Sequence, residues 1–201
     1  MLKRIPFAAL ALLAILGPSA GVAQTASKLS HSEVDARVRA LVARMTVAEK
    51  IAQLRSDWTP SIFEPALQTT GFGMIPNFGR SLEPREAAEA VNRLHRMAAK
   101  TKLGIPTMIV EEAAHGLCAK GCTSFPQVIG LAATWDPAFV GEVAGQIAVE
   151  ARARGVRQVL APVINITRDA RWGRVEETFG EDPRLCSDLA ASYVKALESR
   201  G

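Results

Sequence analysis

The hydrophobic residues of this chain occur in two patterns: some have the spacing of an amphipathic helix, and others form short uninterrupted runs. Segment 32–45 places an apolar residue at every third or fourth position, which predicts an amphipathic helix. A second helix is predicted to begin at Thr46, because Thr46 and Glu49 have the spacing of a capping box. Helical spacing also predicts helices over residues 84–100, 137–154 and from 183 onward. The predicted inward faces are Val34, Val38, Leu41, Val42 and Met45; Ala87, Val91, Leu94 and Ala98; and Leu185, Leu189, Val194 and Leu197.

Short continuous apolar runs lie between these helices and predict buried strands. One run lies in the glycine-rich segment 69–79, and the others are 105–112 and 156–163. A strand, a long loop and a helix then repeat, which is typical of a parallel sheet covered by helices. Aspartate followed by proline precedes each of the last two helices, as a helix start requires. The predicted fold class is therefore α/β.

A barrel and an open doubly wound sheet both fit this alternation. The chain has no GxGxxG or Walker sequence, which an open nucleotide-binding sheet usually carries after an early strand, so a (β/α) barrel is favoured. In such a barrel the loops after the strands meet at one rim, where the active site lies. The Glu111-Glu112 pair and the charged segment 168–182 both follow strands, so we expect them at the same rim.

The amino terminus has the layout of a secretory signal peptide. Lys3 and Arg4 precede an apolar run, and small residues lead to Ala23. We expect cleavage near Ala23, a signal peptide over residues 1–23, and a secreted or periplasmic protein with residues 24–201 as one domain. An uncleaved anchor is the alternative, although the run is short for a membrane span. After cleavage, no membrane association is expected.

Composition and charge mainly argue against particular partners and sites. The formal net charge is +4, and removal of the signal peptide, which holds Lys3 and Arg4 but no acidic residue, leaves +2. Arginines are scattered among acids without a basic stripe, so a nucleic-acid partner is disfavoured. One disulfide among Cys118, Cys122 and Cys186 is possible, with Cys118 and Cys122 the nearest in sequence. The histidines are too dispersed to predict a metal site.

Four long segments resemble one known family. They are "RVRALVARMTVAEKIAQL", "LGIPTMIVEEAAHG", "FPQVIGLAATWDPAFV" and "LAPVINITRDARWGRVEETFGEDPRL". They are similar, in this order, to the N-terminal catalytic domain of glycoside hydrolase family 3, the β-glucosidases and β-xylosidases. The resemblance covers about residue 31 to the end. It implies a (β/α)8 TIM-like barrel, no cofactor, and retaining removal of the terminal non-reducing sugar from a β-linked oligosaccharide or an aryl or alkyl β-glycoside.

The resemblance also implies site residues. The sugar-binding carboxylate corresponds to Glu112, where many members carry Asp, and the sugar-clamping arginine corresponds to Arg174. A carboxylate accepts from adjacent hydroxyls, and a guanidinium donates in a planar fork. Around them we expect supporting roles. Glu111 is expected to pair with an arginine, His115 to hold its loop through hydrogen bonds, and Asp182 to cap a helix. Arg168, Asp169 and Arg171 are expected to form a partly buried salt-bridged scaffold, and Glu176 and Glu177 to hold Arg174.

The catalytic carboxylates of the family have no counterpart in this chain. Retaining hydrolysis needs a nucleophile and an acid/base about 5 to 5.5 Å apart. In the family both lie on later segments, the nucleophile after a Lys-His pair, so no residue of this chain is predicted to be catalytic. We therefore expect the chain to be an incomplete barrel, a fragment that is inactive alone. A β-xylosidase fragment and a non-catalytic or vestigial carbohydrate-binding protein are the alternatives.

Overall fold

The computed structural model describes residues 29–199. The predicted signal peptide, residues 1–23, lies outside them. The described residues fall into two units, residues 29–38 and residues 39–199. Within residues 29–199, no helix is both long and apolar enough to cross a lipid bilayer.

The first predicted helix is present, but its predicted inner face is not buried. Helix α1 spans His31–Arg44, and none of its residues is buried. Val34, Val38 and Val42, which were expected to face inward, are all exposed. An apolar stripe identifies the face that a helix can bury, whereas burial also needs a partner surface, which the stripe does not specify.

The other predicted helices are also present in residues 39–199. Their bounds are α2 Val47–Gln53, α4 Pro84–Ala98, α6 Pro137–Ala153 and α7 Pro183–Ser199. Their expected caps form: Thr46 and Glu49 make a capping box, and Asp136 and Asp182 accept hydrogen bonds from first-turn backbone N–H groups. Two short helices were not predicted, α3 Pro60–Leu67 and α5 Val128–Ala132. Each has too few turns to show a helical period, and α5 lies within a segment interpreted as loop.

Three short parallel strands form the sheet. They are β1 Met74–Pro76, β2 Met108–Glu111 and β3 Gln158–Val159, in the spatial order β1-β2-β3. Ile75 pairs with Ile109, and Glu111 pairs with Val159. The three predicted strand regions and their parallel arrangement are thus confirmed, but β3 is not buried as predicted, since Gln158 is exposed and Val159 is only half-buried. Since spatial order follows chain order, the carboxyl ends of all three strands lie along one edge of the sheet, and the loops that leave them are neighbours.

The core confirms most, but not all, of the predicted inward faces in residues 39–199. All four predicted residues of α4 are buried, and so is Leu189 of α7. Val194 is exposed, however, and Cys186 and Tyr193 are buried instead. Cys186, Leu189 and Tyr193 follow the spacing of one helical stripe, and Val194 is rotated about 100° from Tyr193. The prediction for Val194 was wrong because its apolar character was given more weight than its angular position.

Tyr193 joins α7 to the segment that follows β2. Its hydroxyl donates to the Ala113 carbonyl oxygen at 2.7 Å, and the side chain is fully buried. Burial raises the pKa of the Tyr193 phenol above its ordinary value, because a buried phenolate loses its hydration. The bond fixes the backbone directly after Glu112 to the helical layer.

We expect Tyr193→Phe to lower the free energy of unfolding by about 1–2 kcal/mol at pH 7, because the Ala113 carbonyl loses its donor. The raised pKa of Tyr193 stabilises the native protein fully below the pKa of the unfolded phenol, about 10, and this contribution is lost as pH rises above it, by up to about 1.4 kcal/mol per pH unit. Urea denaturation at pH 7 and pH 10.5 measures both effects. The difference between native protein and variant should shrink at pH 10.5, and a constant difference would contradict the assignment.

Candidate active site

The carboxyl end of β2 carries two adjacent glutamates with opposite environments. Glu111 is only 2% exposed, whereas Glu112 is exposed. Both faces of β2 are buried, so Glu111, its last residue, enters the protein, whereas Glu112 lies beyond the strand and reaches solvent. The Glu111 carbonyl oxygen also accepts from Leu160 N at 2.9 Å, which ties this point to the end of β3. The strand pairing therefore fixes which glutamate is available to a ligand.

Arg80 is the expected arginine partner of Glu111. Its Nε and Nη2 donate to Glu111 Oε1 at 3.0 and 2.5 Å, and the backbone N–H of Glu112 donates to the same oxygen at 2.7 Å. Asn77 Oδ1 accepts from Arg80 Nη2 at 2.9 Å. The hydrogen bonds with Glu111 raise the pKa of Arg80 above its usual range, and the charge of Glu112 adds to this effect. The buried carboxylate is thus neutralised and hydrogen-bonded.

Arg80 was not predicted to belong to the site. The sequence signal that could have found it is its position, since Arg80 follows the end of β1 by four residues and Glu112 directly follows the end of β2. Asn77 ends β1 with a left-handed φ of 58°, and its N–H donates to Val110 O at 2.9 Å. This turn brings the chain back over the sheet edge, and it sets Arg80 beside the end of β2.

Arg154 fixes the backbone on both sides of Arg80. It follows α6 and is 4% exposed. Its Nη2 donates to the carbonyl oxygens of Gly79 and Leu82 at 2.9 and 3.0 Å, and its Nη1 donates to that of Lys120 at 2.9 Å. Lys120 N in turn donates to Arg80 O at 2.8 Å. One buried guanidinium therefore connects the loops after β1 and β2.

Arg174 lies in the loop that follows β3 and is held by Glu177. Its Nε lies 3.0 Å from both carboxylate oxygens of Glu177, and its Nη2 donates to Oε2. This pairing raises the pKa of Arg174 and lowers the pKa of Glu177. Glu177 thus has the predicted contact, whereas Glu176 is exposed. The Arg174 side chain remains 57% exposed.

Glu112 and Arg174 come from different loops and interact electrostatically. The negative charge of Glu112 contributes to the raised pKa of Arg174, although less than Glu177 does. The parallel pairing of β2 with β3 brings the two loops that carry these residues to the same edge of the sheet. The two segments expected to share a rim therefore do so.

The predicted scaffold of Arg168, Asp169 and Arg171 forms only in part. Arg171 Nη2 lies 2.6 Å from Asp169 Oδ2, and this contact lowers the pKa of Asp169. Arg168 lies beside them, in the lining of a cleft of about 230 Å³ with Asp169 and Trp172. All three charged residues are exposed, which corrects the expectation of partial burial. Solvent screens such a pair, so it contributes little to stability.

The loop-locking contact predicted for His115 is made by its backbone. The His115 carbonyl oxygen accepts from Phe125 N at 2.7 Å. Gly116 follows with a φ of 120°, and a Cβ at this position would lie 2.2 Å from the Thr123 carbonyl oxygen. The loop after β2 closes on itself here, and only glycine fits that approach.

The three cysteines are all free thiols. The Cys118 thiol lies near Arg80, Glu111 and Glu112, whereas the Cys122 thiol lies near Glu150 and Arg154. Proximity in sequence therefore does not bring these two sulfur atoms together, and the possible Cys118–Cys122 disulfide is absent. Residues 29–199 also hold no group of three or more His, Cys, Asp or Glu side chains that is arranged to bind a metal.

Comparison with known proteins identifies the family. The family model described as the glycosyl hydrolase family 3 N terminal domain matches residues 46–201. The chain belongs to glycosyl hydrolase family 3. A β-xylosidase of Formosa agariphila is 32% identical over 185 residues, which are 89% of this chain and 20% of that enzyme. A periplasmic β-glucosidase of Salmonella typhimurium is 33% identical over 171 residues, or 83% of this chain and 21% of the relative.

A solved family 3 structure confirms the fold. The β-glucosidase of Erythrobacter marinus superposes with a TM-score of 0.75 at 34% identity, and the match covers 80% of this chain and 22% of that one. The predicted α/β fold, the first part of a TIM-like barrel, is confirmed. The chain spans about a fifth of the length of these relatives.

Proposed function

We propose that this chain supplies the first part of the sugar-binding site of a retaining family 3 β-glycosidase that removes terminal β-D-glucosyl residues. Family membership supports glycoside hydrolysis in general. The observation that carries the finer proposal is the parallel pairing of β2 with β3, because the loops that leave these neighbouring strands carry Glu112 and Arg174. Both side chains are exposed at the rim, where a barrel enzyme binds its substrate.

The chemistry of the two side chains is complementary to a sugar ring. The Glu112 carboxylate has two oxygens, which can accept hydrogen bonds from adjacent hydroxyl groups. Glu177 engages Nε and Nη2 of Arg174, and the guanidinium has further N–H donors at Nη1 for a sugar oxygen. Glu177 thereby orients the arginine without competing for all of its donors. Acceptors from one loop and donors from another can fix the orientation of the ring.

Glu112 and Arg174 are proposed to bind the sugar and not to take part in cleavage of the glycosidic bond. Three acidic groups of the described rim have structural roles: Glu111 pairs with Arg80, Glu177 pairs with Arg174, and Asp182 caps α7. A nucleophile and an acid/base at the separation that retention requires are not assigned in residues 1–201. A polypeptide limited to these residues is therefore proposed to bind sugar weakly and not to hydrolyse it.

The substrate is proposed to be a β-glucoside, with a β-xyloside as the second candidate. Xyloside is retained because the Formosa agariphila relative is named a β-xylosidase. A non-catalytic carbohydrate-binding role also remains as the alternative to hydrolysis. Methyl β-D-glucopyranoside and methyl β-D-xylopyranoside differ only in the C5 hydroxymethyl group, so they separate the two substrate candidates in one assay.

Ligand-observed NMR with the purified chain tests the proposed site. We expect saturation transfer to methyl β-D-glucopyranoside, and we expect Glu112→Gln and Arg174→Ala each to weaken it at least about fivefold, since each removes a charged hydrogen-bonding group. Arg184→Ala is the matched control, because Arg184 forms an exposed ion pair with Asp188 on α7. Equal binding by native chain and both site variants would reject the assignment.

Export is a separate proposal. The basic, apolar and small-residue order of the first 23 residues supports it, and the Salmonella typhimurium relative is named periplasmic. We expect the exported protein to begin near Gln24, and Leu12→Arg to block export because it places a charge inside the apolar run. Mass spectrometry of the periplasmic or secreted product measures the new terminus. An exported protein with Met1 intact would contradict cleavage.

A further inference from the structure

Arg80 pairs with a buried carboxylate but is itself partly exposed. The Glu111 side chain is 3% exposed, and the Arg80 side chain that covers it is 40% exposed. Glu111 and Asn77 engage Nε and Nη2 of Arg80. Arg80 therefore lies at the boundary of the protein, where the remaining part of its side chain is accessible to a ligand.

Arg80 lies beside residue 112. The Arg80 guanidinium and the Glu112 backbone N–H donate to the same oxygen, Glu111 Oε1. The strands lie in the order β1-β2-β3, so the loop that carries Glu112 leaves the sheet between the loops that carry Arg80 and Arg174. The loops after three successive parallel strands thus each contribute one of these charged residues.

Arg80 is also held rigidly enough to recognise a ligand. Glu111 and Asn77 fix Nε and Nη2, and Arg154 and Lys120 fix the backbone of its loop. A guanidinium anchored in this way loses little conformational entropy when it donates to a ligand, which favours binding. The donors at Nη1 have the planar geometry that suits hydroxyl oxygens.

We propose that Arg80 is a third sugar-binding residue, which donates from its guanidinium to a hydroxyl oxygen of the terminal β-glycosyl unit on the side of Glu112 away from Arg174. This inference rests on the proposed function, because it assumes that the rim holds that sugar. Glu111 is then the residue that positions Arg80, and the buried ion pair is the support of a ligand contact.

A double replacement separates sugar binding from charge neutralisation. Arg80→Gln alone would leave Glu111 as a buried unpaired charge, so it is combined with Glu111→Gln, which keeps a neutral hydrogen-bonding pair. We expect the double variant to bind methyl β-D-glucopyranoside about tenfold more weakly than the Glu111→Gln single variant, which keeps Arg80 beside a neutral hydrogen-bond acceptor. Arg80→Lys keeps the charge and loses the planar fork, and should weaken binding about fivefold. Arg184→Ala again serves as the control, and circular dichroism verifies folding of each variant.

The outcomes distinguish this inference from the proposed function. If Glu112→Gln and Arg174→Ala weaken binding while the double variant and Arg80→Lys do not, Arg80 only neutralises Glu111 and the inference is wrong. If the native chain binds neither methyl glycoside, the proposed site and the inference both fail. If the double variant fails to fold, Arg80→Lys decides, and unchanged binding by that variant overturns the inference.

Discussion

We expect Arg174→Ala to lower kcat/KM about 100- to 1000-fold in a catalytically complete family 3 protein that carries residues 1–201, if Arg174 binds the sugar as proposed. A charged donor that contacts the sugar in the transition state contributes about 3–4 kcal/mol, and each 1.4 kcal/mol corresponds to a tenfold change in rate. Folding should be nearly unaffected, because the Arg174 side chain is 57% exposed and its ion pair with Glu177 is screened by solvent.

The measurement is steady-state hydrolysis of an aryl β-glucoside by the purified protein and its variants. Arg184→Ala removes an arginine of another exposed ion pair, on the outer helix α7, and should leave kcat/KM within about twofold. Arg174→Lys keeps the charge without the planar fork and should retain intermediate activity. Normal kcat/KM in Arg174→Ala would remove Arg174 from the sugar-binding site.

Replacing Arg154 with methionine lowers the free energy of unfolding by about 3 kcal/mol or more. Methionine fills a similar volume, but the carbonyl oxygens of Gly79, Leu82 and Lys120 lose their donors. Each buried carbonyl without a partner costs about 1–3 kcal/mol, and entry of water reduces the total. The effect is large because one side chain serves two loops.

Urea denaturation measures this loss as a lower midpoint at constant slope. Arg157→Met is the matched control, since Arg157 lies three residues away and is exposed, and it should change stability by less than about 0.5 kcal/mol. Arg154→Lys should recover part of the stability, because an ammonium group donates to fewer of the separated carbonyls. Equal stability of Arg154→Met and Arg157→Met would show that the three hydrogen bonds contribute little.

The features predicted from sequence are those governed by local periodicity. The strand at 108–111, the capping box at Thr46 and the aspartate caps depend on residues a few positions apart, so their signals are contained in short segments. The placement of Glu112 and Arg174 at one rim followed from a rule of parallel sheets. Helix caps, strand positions and the edge at which parallel strands end can therefore be predicted from sequence.

The features missed depend on pairs that are far apart in the chain. Arg80 meets Glu111 across 31 positions, and Arg154 meets Gly79 across 75. The residues that neighbour Arg80 and Arg154 in sequence do not indicate these long-range partners, so the two arginines cannot be distinguished from the others by sequence alone. The exposed face of α1 and the free thiols of Cys118 and Cys122 have the same origin, since both depend on which surfaces and sulfur atoms meet in three dimensions.

Glu111 and Glu112 are chemically identical, and their positions at the end of β2 give them different surroundings. Glu111 is the last residue of the strand and is buried, whereas Glu112 is the first residue after it and is exposed. Deletion of one residue between 105 and 110, with the strand still paired at its amino-terminal end, would move Glu112 into the buried position beside Arg80 and Glu111 into the position of Val110, which is also buried. Both carboxylates would then lie inside the protein, and Ala113 would occupy the exposed position. The position of a glutamate relative to the strand end, more than its identity, therefore determines which one a mutagenesis study of this site should target.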